Sequence, residues 1–481
     1  MNHLLKKLLT SNNFLSLANN GLVAVFSFLS FFMLVRALPQ ETFGEWVLLI
    51  TTGGFIDMLR FGITRTAVIR FVAGADEGEA KALMGANSLI NLLSTILVAI
   101  TLFSIYQLFE DQLAGSGFLL FFKWYPLLAL FNLGFNNAQS VLQAKMRFDH
   151  MLLLRMINVL SFMLFLIYNI WSKFSIDTIV WAYLITNLIS SLIASAMNWD
   201  GIRHTFQANK QAVRTILNFG KYTTGTLIGS NLLKSSDTFI IGLSSFMGPA
   251  GVAVYSIPLK LTEIIEIPLR SFAGTAFPSM SKAAIEGKLD ETKRIFYQNA
   301  GGTTLLMIPL MTVCFIFAEQ IVWFLGGSDY VVSANIFRIF CIYGLLLPID
   351  RFIGVTLDSV NMPRQNFYKV LFMALFNIIG DAIVVFGLSK IILGTSWLTL
   401  IAQGISPDDA YRVAHGFSLI KSLELVAIVT ILFTLLGIVI GFGYLDNAVK
   451  LNKNAIFAEG YKVLRSNWTT LRGNIKLNSQ Q

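Results

Sequence analysis

Hydrophobic stretches of about 20 residues recur along this chain of 481 residues. An α-helix needs that length to cross the ~30 Å hydrocarbon core of a bilayer. Only 13% of the residues are charged and 55% are hydrophobic, whereas soluble domains carry about twice that share of charge. The pattern predicts an all-α, multi-pass membrane protein. Its twelve predicted spans are 13–36, 43–70, 83–109, 118–144, 151–172, 177–199, 214–245, 251–282, 293–318, 332–358, 366–389 and 416–445.

The distribution of Lys and Arg over the loops predicts the orientation. With a cytosolic N-terminus, twenty-two basic residues fall on the cytosolic side, Arg155 and Lys369 among them, and five on the other. Positive charge favours the cytosolic side of a membrane, so both termini are expected in the cytosol. The membrane in which the protein is expected is the cytoplasmic membrane. The net charge of +9 is then a topology signal, with some attraction to anionic lipid heads. No nucleic-acid partner is expected, because the basic residues are dispersed over short loops.

The long basic loop at 200–213 divides the spans six and six. An offset of 211 residues also aligns RFGIT with SFAGT, a faint internal repeat that is equally compatible with chance. Parallel repeats of this kind occur in transporters whose substrate site lies between the lobes. We therefore predict an N-terminal six-helix lobe at 1–210, a C-terminal six-helix lobe at 211–445 and a basic cytosolic tail at 446–481.

Residues that usually carry chemistry give little signal. Cys314 and Cys341 lie in predicted spans, and four dispersed histidines lack metal-ligand spacing, so we predict no disulfide, metal or cofactor. The apolar part of segment 390–415 is too short to cross twice and is expected to be interfacial or re-entrant. Its SPDD sequence predicts a helix start with Ser406 as N-cap, in preference to a catalytic carboxylate pair.

Amide side chains follow one face of two predicted spans. Facing lipid, they would leave donors unsatisfied, so these faces must meet protein or water. Hydrogen bonding between helices and a wet cavity both account for the pattern. The amides concerned are Asn87, Asn91, Asn132, Asn136, Gln139 and Gln143.

Charged residues also lie within the spans. Lys234 and Asp237 stand one helical turn apart, as do Asp57 and Arg60. A charge at the bilayer centre costs about 2.5–3.5 kcal/mol on an insertion scale, so such residues face the bundle interior or water. Either they neutralise one another and hold helices in register, or they line a polar path. The others are Arg65, Lys260, Glu263, Glu266, Arg270, Arg351, Asp358 and Asp381.

The stretch VRALPQETFGEWVLLITTGGFIDMLRFGITRTAVIRFVAG at 35–74 resembles the opening of polysaccharide flippases of the multidrug/oligosaccharidyl-lipid/polysaccharide (MOP, MATE-related) exporter superfamily. Pro39 replaces the usual glycine. The stretch at 236–261 and FPSMSK at 277–282 are similar to the start of that family's second lobe. The likeness covers about residues 1–445. The matching positions are Arg36, Leu38, Phe43, Gly44 and Gly62.

This resemblance implies two six-helix lobes around a central cavity that opens alternately to each side. It further implies a flippase, without enzymatic chemistry, that moves undecaprenyl-diphosphate-linked oligosaccharide repeat units from the inner to the outer leaflet for O-antigen or capsule synthesis. The implied partners are the lipid-linked oligosaccharide, membrane lipids and a polysaccharide polymerase.

The charged and amide residues fit that chemistry. Cations would bind the diphosphate, amides would bind sugar hydroxyls, and carboxylates would bind a coupling cation. The candidate cations are Arg60, Arg65, Lys234, Lys260, Arg270 and Arg351. The candidate sugar-lining residues are the six amides named above. The candidate coupling residues are Asp57, Asp237, Glu263 and Glu266.

Two other functions stay open at this point. A multidrug extruder of the same superfamily, coupled to H⁺ or Na⁺, would need acidic cavities, and the N-terminal lobe has Asp57 alone clearly within a span. A membrane glycosyl polymerase or ligase would need a sizeable outer loop with catalytic residues, for which 390–415 is the candidate.

Overall fold

The computed structural model describes residues 12–451, 455–462 and 465, and for 12–20, 221–226 and 230 it describes the backbone alone. Most of the predicted tail at 446–481 therefore lies outside the described residues. The same is true of several basic residues that support the predicted orientation, among them Lys6, Lys7, Lys453, Arg472 and Lys476.

The described residues are almost entirely helical. Short 3₁₀ helices lie at Ile202–Gln207 and Ser328–Ser333, and a π-helical turn at Val384–Leu388. The α-helices are α1 (Asn12–Ala37), α2 (Gln40–Val72), α3 (Glu77–Ala114), α4 (Leu119–Phe131), α5 (Leu133–Ala144), α6 (Phe148–Ser172), α7 (Ile176–Ala196), α8 (Lys210–Leu243), α9 (Gly248–Ile285), α10 (Leu289–Ile316), α11 (Ala318–Gly326), α12 (Ala334–Ser359), α13 (Pro363–Ile383), α14 (Ser389–Ala402) and α15 (Pro407–Val449).

The prediction of an all-α, multi-pass membrane protein is confirmed. Eight described helical segments are long and apolar enough to cross a membrane. Each of the twelve predicted spans overlaps a described helix or two consecutive ones, while the number of crossings stays a prediction. The eight segments are Gln40–Val72, Glu77–Ala114, Phe148–Ser172, Ile176–Ala196, Leu289–Ile316, Ser328–Ser359, Pro363–Ala402 and Pro407–Val449.

Side-chain caps fix several helix starts. Asp76 accepts from the backbone N–H of Glu79 at 2.8 Å at the start of α3, and Asn209 caps α8 in the same way. The predicted N-cap at Ser406 is confirmed, because its Oγ accepts from the backbone N–H of Asp409 at 3.3 Å. Such caps satisfy donors that the first helical turn leaves unpaired.

Two predicted segments differ from the structure. The span predicted at 118–144 is two helices, because the helix is interrupted at Asn132 between α4 and α5. Where the sequence predicts an interfacial or re-entrant segment at 390–415, the structure has helices on both sides of a turn at residues 403–406, and the place of this segment relative to the membrane stays a prediction. Residues up to Ala402 continue α13 through the π-helical turn, and α15 begins at Pro407. The Oγ of Ser418 donates to the Ser389 carbonyl at 2.9 Å and ties α14 to α15, while apolar side chains of α14 such as Ile391 and Leu398 are exposed.

The chain divides into two compact units. The first contains Met1–Asn231 with Ile241–Ala253, and the second contains Leu232–Ile240 with Val254–Gln481. The first unit thus extends past residue 210, where the sequence predicts the lobe boundary. We call them the N-terminal and C-terminal units.

Each unit has its own apolar core. In the N-terminal unit the ends of α2 and α5 meet, where Val72, Val141 and Ala144 belong to one buried cluster. A Cβ added at Gly44 would lie 1.8 Å from the carbonyl oxygen of Pro249, so this glycine of the Phe-Gly motif allows two backbones to approach closely. The C-terminal core packs α9, α10, α12 and α15, with Phe352 at its centre.

Candidate functional site

Arg60 lies at the centre of a buried network in the N-terminal unit. Its side chain is 1% exposed. Nη1 donates to Asp57 Oδ1 at 2.7 Å and to the Tyr125 hydroxyl at 3.2 Å. Nη2 donates to Thr95 Oγ1 and to the Ala129 carbonyl, both at 2.7 Å. Acceptors from α2, α3 and α4 therefore hold the guanidinium in place.

Asp57 receives two further hydrogen bonds. The Tyr125 hydroxyl donates to Oδ1 at 2.7 Å, and Asn132 Nδ2 donates to Oδ2 at 2.8 Å. The predicted pairing of Asp57 with Arg60 is confirmed, and uncharged donors complete it. Because both terminal nitrogens of Arg60 are engaged, this residue does not offer them to a diphosphate in this structure.

The amides of α3 form hydrogen bonds between helices. Asn91 Nδ2 donates to Asn137 Oδ1 at 2.7 Å and to Asn87 Oδ1 at 3.1 Å, and Asn91 Oδ1 accepts from Thr64 at 3.0 Å. Asn87 and Asn91 are 0% and 1% exposed. Asn136 donates to a carbonyl one turn earlier in its own chain segment. Of the two interpretations, helix-to-helix bonding accounts for the α3 pair, which is not accessible to a sugar here.

The two glutamines of α5 face arginines. Arg155 Nε donates to Gln139 Oε1 at 2.6 Å, and Arg65 Nη2 donates to Gln143 Oε1 at 3.5 Å. Arg155, counted from the sequence as a loop cation, lies in the second turn of α6 and is half-buried. Arg65 is exposed on α2.

In the C-terminal unit, Asp237 is buried at 6% exposure and does not pair with Lys234. Its Oδ2 accepts from the Tyr255 hydroxyl at 2.7 Å, and its Oδ1 accepts from Asn377 Nδ2 at 2.7 Å. The Thr430 hydroxyl is 3.4 Å from Oδ2. Of the two interpretations, mutual neutralisation does not account for Lys234 and Asp237, because uncharged donors on α9, α13 and α15 satisfy Asp237 inside the unit, while Lys234 is exposed.

Asp381 of α13 lies beside Asp237 and is completely buried. Neither of its carboxylate oxygens accepts a hydrogen bond within the described part of the chain, and neither does Asn377 Oδ1. Two adjacent buried carboxylates cannot both carry an uncompensated negative charge. A shared proton or a bound cation resolves this conflict, and carboxylate, amide and hydroxyl oxygens are the ligands that hard cations prefer.

The predicted cations of the C-terminal unit fall into two groups. Lys260 pairs with Glu263 at 2.8 Å and Arg270 pairs with Glu266 at 2.7 Å, both along α9. These carboxylates, which the sequence analysis offers as coupling residues, therefore each have a cation already. The interpretation of mutual neutralisation accounts for both pairs.

Lys234 and Arg351 form no ion pair with any described residue. Both are exposed, on α8 and α12, as is Arg270 on α9. Glu266, Arg270, Arg351 and Glu263 all lie close enough to act electrostatically on Lys234. Three exposed cations against two carboxylates, one of which already pairs with Lys260, give these residues of the C-terminal unit an excess of positive charge. We call Lys234, Arg270 and Arg351 the cationic face.

Sequence reasoning missed several residues of the carboxylate site. Tyr255 and Thr430 carry no charge and lie on helices whose contact with α8 no sequence pattern reveals. The sequence identifies Asp381 as a charged residue within a predicted span, but its approach to Asp237 depends on tertiary packing. Lys369, counted as a loop cation, is 2% exposed and forms an ion pair with Asp350 at 2.5 Å.

Comparison with known families gives two matches. A family model described as "Polysaccharide biosynthesis protein" matches residues 9–284, more than half of the chain. A second model, MatE, matches residues 223–383, a range that contains the cationic face, Asp237 and Asp381. The resemblance to the MOP superfamily is confirmed by these matches.

A curated relative from Haloferax volcanii is described as "Probable low-salt glycan biosynthesis flippase Agl15". It is 22% identical over 193 residues, which are 40% of this chain and 40% of the relative. The whole relative is therefore not represented in the match.

Solved structures share the fold at low sequence identity. A multidrug resistance MATE family transporter of the MOP superfamily, in its inward-facing conformation, aligns with a TM-score of 0.70 and 13% identity, over 89% of this chain and 95% of the other. The lipid II flippase MurJ aligns with a TM-score of 0.61 and 14% identity, over 96% and 99%. The chain therefore belongs to the polysaccharide biosynthesis protein family and has the fold of MOP superfamily transporters.

Proposed function

We propose that this protein is a flippase for lipid-linked oligosaccharides. It moves undecaprenyl-diphosphate-linked repeat units from the inner to the outer leaflet of the cytoplasmic membrane by alternating access, for O-antigen or capsule synthesis, and delivers them to a polysaccharide polymerase. The family match and the flippase names of two similar proteins support this proposal. The observation that carries it is the cationic face of the C-terminal unit.

The cationic face suits a diphosphate for a physical reason. Charged side chains within spanning helices are costly unless they meet water, a counter-charge or a ligand. Lys234 and Arg351 form no ion pair with a described residue, so an anion is the ligand that their positions favour. Arg binds phosphate oxygens through two parallel donors, while Lys acts as a compact point charge.

The Asp237–Asp381 pair supplies a place for a coupling cation in the same proposal. Binding of H⁺ or Na⁺ there would neutralise the buried carboxylates, and its release would restore their repulsion, so the two states of the pair differ in energy. The membrane potential contributes as well, because moving a net anion outward is favoured by about 2.3 kcal/mol per charge per 100 mV when the cytosol is negative.

A cation-coupled multidrug extruder is the second candidate. The carboxylate pair and the similarity in fold to a multidrug resistance transporter favour it. The cationic face argues against it, because a cationic drug would be repelled there. A polymerase or ligase has less support, since the segment at 390–415 on which it would depend is helical.

The test is a flipping assay in proteoliposomes with a fluorescent undecaprenyl-diphosphate oligosaccharide. A membrane-impermeant reductant bleaches only lipid in the outer leaflet, so flipping increases the bleached fraction. We expect the protein to increase it and the variant Lys234→Gln/Arg270→Gln/Arg351→Gln to slow this step at least tenfold, since each lost charge-assisted contact costs about 1.5–3 kcal/mol.

A matched control removes a cation elsewhere in the same unit. Arg294 pairs with Glu291 at 2.6 Å on an exposed turn, and Arg294→Gln should flip lipid at the normal rate. Bleaching equal to that of protein-free vesicles would overturn the flippase proposal. Uptake of a cationic dye without any flipping would support the extruder instead.

The proposed orientation makes a separate prediction. With both termini in the cytosol, a cysteine at Lys288→Cys should resist an impermeant thiol reagent in intact cells, and one at Ser328→Cys should react. The measurement is labelling before and after cell lysis. The reverse pattern would invert the orientation and every assignment of leaflets.

A further inference from the structure

We propose that Arg65 and Arg155 of the N-terminal unit form a binding site for the phosphate groups of a lipid, with Gln139 as a third donor. This site rests on the proposed function, because a lipid-linked diphosphate is the ligand it would take. From the sequence, Arg65 is a candidate for the diphosphate, Gln139 a candidate for sugar hydroxyls and Arg155 a loop cation.

The two arginines bond to side chains on neighbouring turns of one helix. Gln139 and Gln143 are one helical turn apart on α5 and face the same side of the helix. Each accepts from one arginine, Gln139 from Arg155 at 2.6 Å and Gln143 from Arg65 at 3.5 Å. The two arginines lie close enough for Arg65 to repel Arg155 electrostatically.

No carboxylate among the described residues pairs with either arginine. The only hydrogen bond to the Arg155 guanidinium within the described residues uses Nε, so Nη1 and Nη2 remain as donors. Two like charges held together without a counter-ion cost energy, and an anion between them would offset it. The two fully buried cations described above, Arg60 and Lys369, each have a carboxylate partner.

Gln139 gives a second, independent indication of a ligand. Its side chain is 3% exposed. An arginine can only donate, so Oε1 is the atom that faces Arg155, and the amide nitrogen Nε2 remains as a donor. This Nε2 is buried and has no acceptor in the described part of the chain. A buried unpaired donor costs about 1–3 kcal/mol, which an oxyanion would recover.

The position of the site fits a lipid head group. Arg65 is seven residues from the end of α2 at Val72, and Arg155 is seven residues from the start of α6 at Phe148, each about 10 Å along its helix. Residues at the ends of α2 and α5 share one apolar cluster, so both arginines approach the same end of the unit. Lipid phosphates lie outside the hydrocarbon core, toward the ends of spanning helices, so the proposal places a head group at this end of the unit.

The test measures binding by calorimetry to detergent-purified protein and to four single variants. The probes are inorganic pyrophosphate, undecaprenyl diphosphate in micelles and nanodiscs rich in phosphatidylglycerol. Arg65→Gln, Arg155→Gln and Gln139→Leu should each weaken undecaprenyl diphosphate binding about tenfold or more, and pyrophosphate binding in parallel.

The matched control is Arg147→Gln. Arg147 immediately precedes the same helix but is exposed and paired with Asp149 through two hydrogen bonds of 3.0 and 2.9 Å. It should bind both diphosphates normally. If Arg65→Gln and Arg155→Gln reduce retention of phosphatidylglycerol and leave undecaprenyl diphosphate affinity unchanged, the site belongs to bulk lipid and the substrate assignment is overturned.

Thermal stability separates binding from a purely structural role. Removing one of two repelling cations should leave the melting temperature unchanged or raise it, and pyrophosphate should stabilise the native protein but not the variants. A fall in stability with unchanged affinity would contradict the proposal. Where a Gln variant fails to fold, Arg155→Lys keeps the charge and loses the paired donors, so it should fold and still bind more weakly.

The outcomes also separate this site from the proposed function. Normal flipping by the native protein together with normal affinity in all variants would overturn the site alone. Absent flipping, with pyrophosphate binding that is lost in Arg65→Gln and Arg155→Gln, would overturn the flippase and keep the anion site.

Discussion

Replacing Arg60 by Met is expected to destabilise the protein by about 3–5 kcal/mol, the cost of breaking a buried ion pair. The substitution removes hydrogen bonds to four acceptors, three of them 2.7 Å long. It leaves the Asp57 carboxylate inside the unit without its cation. The measurement is thermal unfolding of purified protein, followed by the loss of monodisperse protein after heating.

Two variants give this expectation its control. Asp57→Asn combined with Arg60→Met leaves no uncompensated charge and should recover most of the stability. Lys123→Met breaks an ion pair with Asp177 whose side chains are 40% and 51% exposed, so it should cost no more than about 1 kcal/mol. Equal losses for Lys123→Met and Arg60→Met would show that burial of the Arg60 network contributes nothing.

Hydrophobic length predicted the helices of this fold because bilayer thickness fixes the length of apolar segment that a span requires. The spans predicted at 43–70 and 151–172 correspond to α2 and α6 with small shifts at their ends. The sequence did not predict where a helix is interrupted. The break at Asn132 separates α4 from α5, so a face drawn along one unbroken helix does not hold across both.

The sequence identifies which polar residues lie in the candidate sites, but it does not predict which of them contact one another. Spacing places Lys234 and Asp237 near each other, yet one is exposed and the other bonds to Tyr255 and Asn377. Spacing alone does correctly pair Asp57 with Arg60 and Arg270 with Glu266. The two cases differ because uncharged donors from other helices can satisfy a carboxylate, which then does not require an ion pair with a lysine on its own helix.

The burial of Arg60 changes what a loss of transport in Arg60 variants would mean. A substrate contact and a structural pair both predict reduced transport, but only the structural pair predicts recovery of stability in the double variant. The same reasoning applies to Arg270, whose pairing with Glu266 is exposed on α9 and costs little to break. Stability and transport must therefore be measured on the same preparations.

At the carboxylate pair, Asp381→Asn is expected to make transport insensitive to ion gradients. Asn keeps the size of the side chain and removes the second negative charge beside Asp237. Losing one charged ligand costs about 1.5–3 kcal/mol, a ten- to hundredfold loss of cation affinity. The measurement is the initial flipping rate in proteoliposomes with a Na⁺ gradient, a pH gradient or neither. The native protein should respond to one of them, and the variant should have one rate in all three.

Glu263→Gln is the matched control, because it makes the same carboxylate-to-amide change, with the same loss of one negative charge, outside the buried pair. Glu263 is 53% exposed and already paired with Lys260. Its variant should keep the gradient response. Loss of the response in Glu263→Gln, with a normal response in Asp381→Asn, would move the coupling site to α9 and exclude the buried pair.

Stability decides whether Asp381 has a coupling role or only a structural one. Removing one of two buried carboxylates that repel each other should leave the protein as stable as before or more stable, whereas a structural Asp381 would behave like Arg60 and cost several kcal/mol. A cation bound at the pair would stabilise the native protein by about 2.7 kcal/mol at a concentration of 100 times its Kd. That stabilisation should vanish in Asp381→Asn. If instead the variant is unstable and its remaining folded fraction still follows the gradient, the pair holds α8 against α13 and takes no part in coupling.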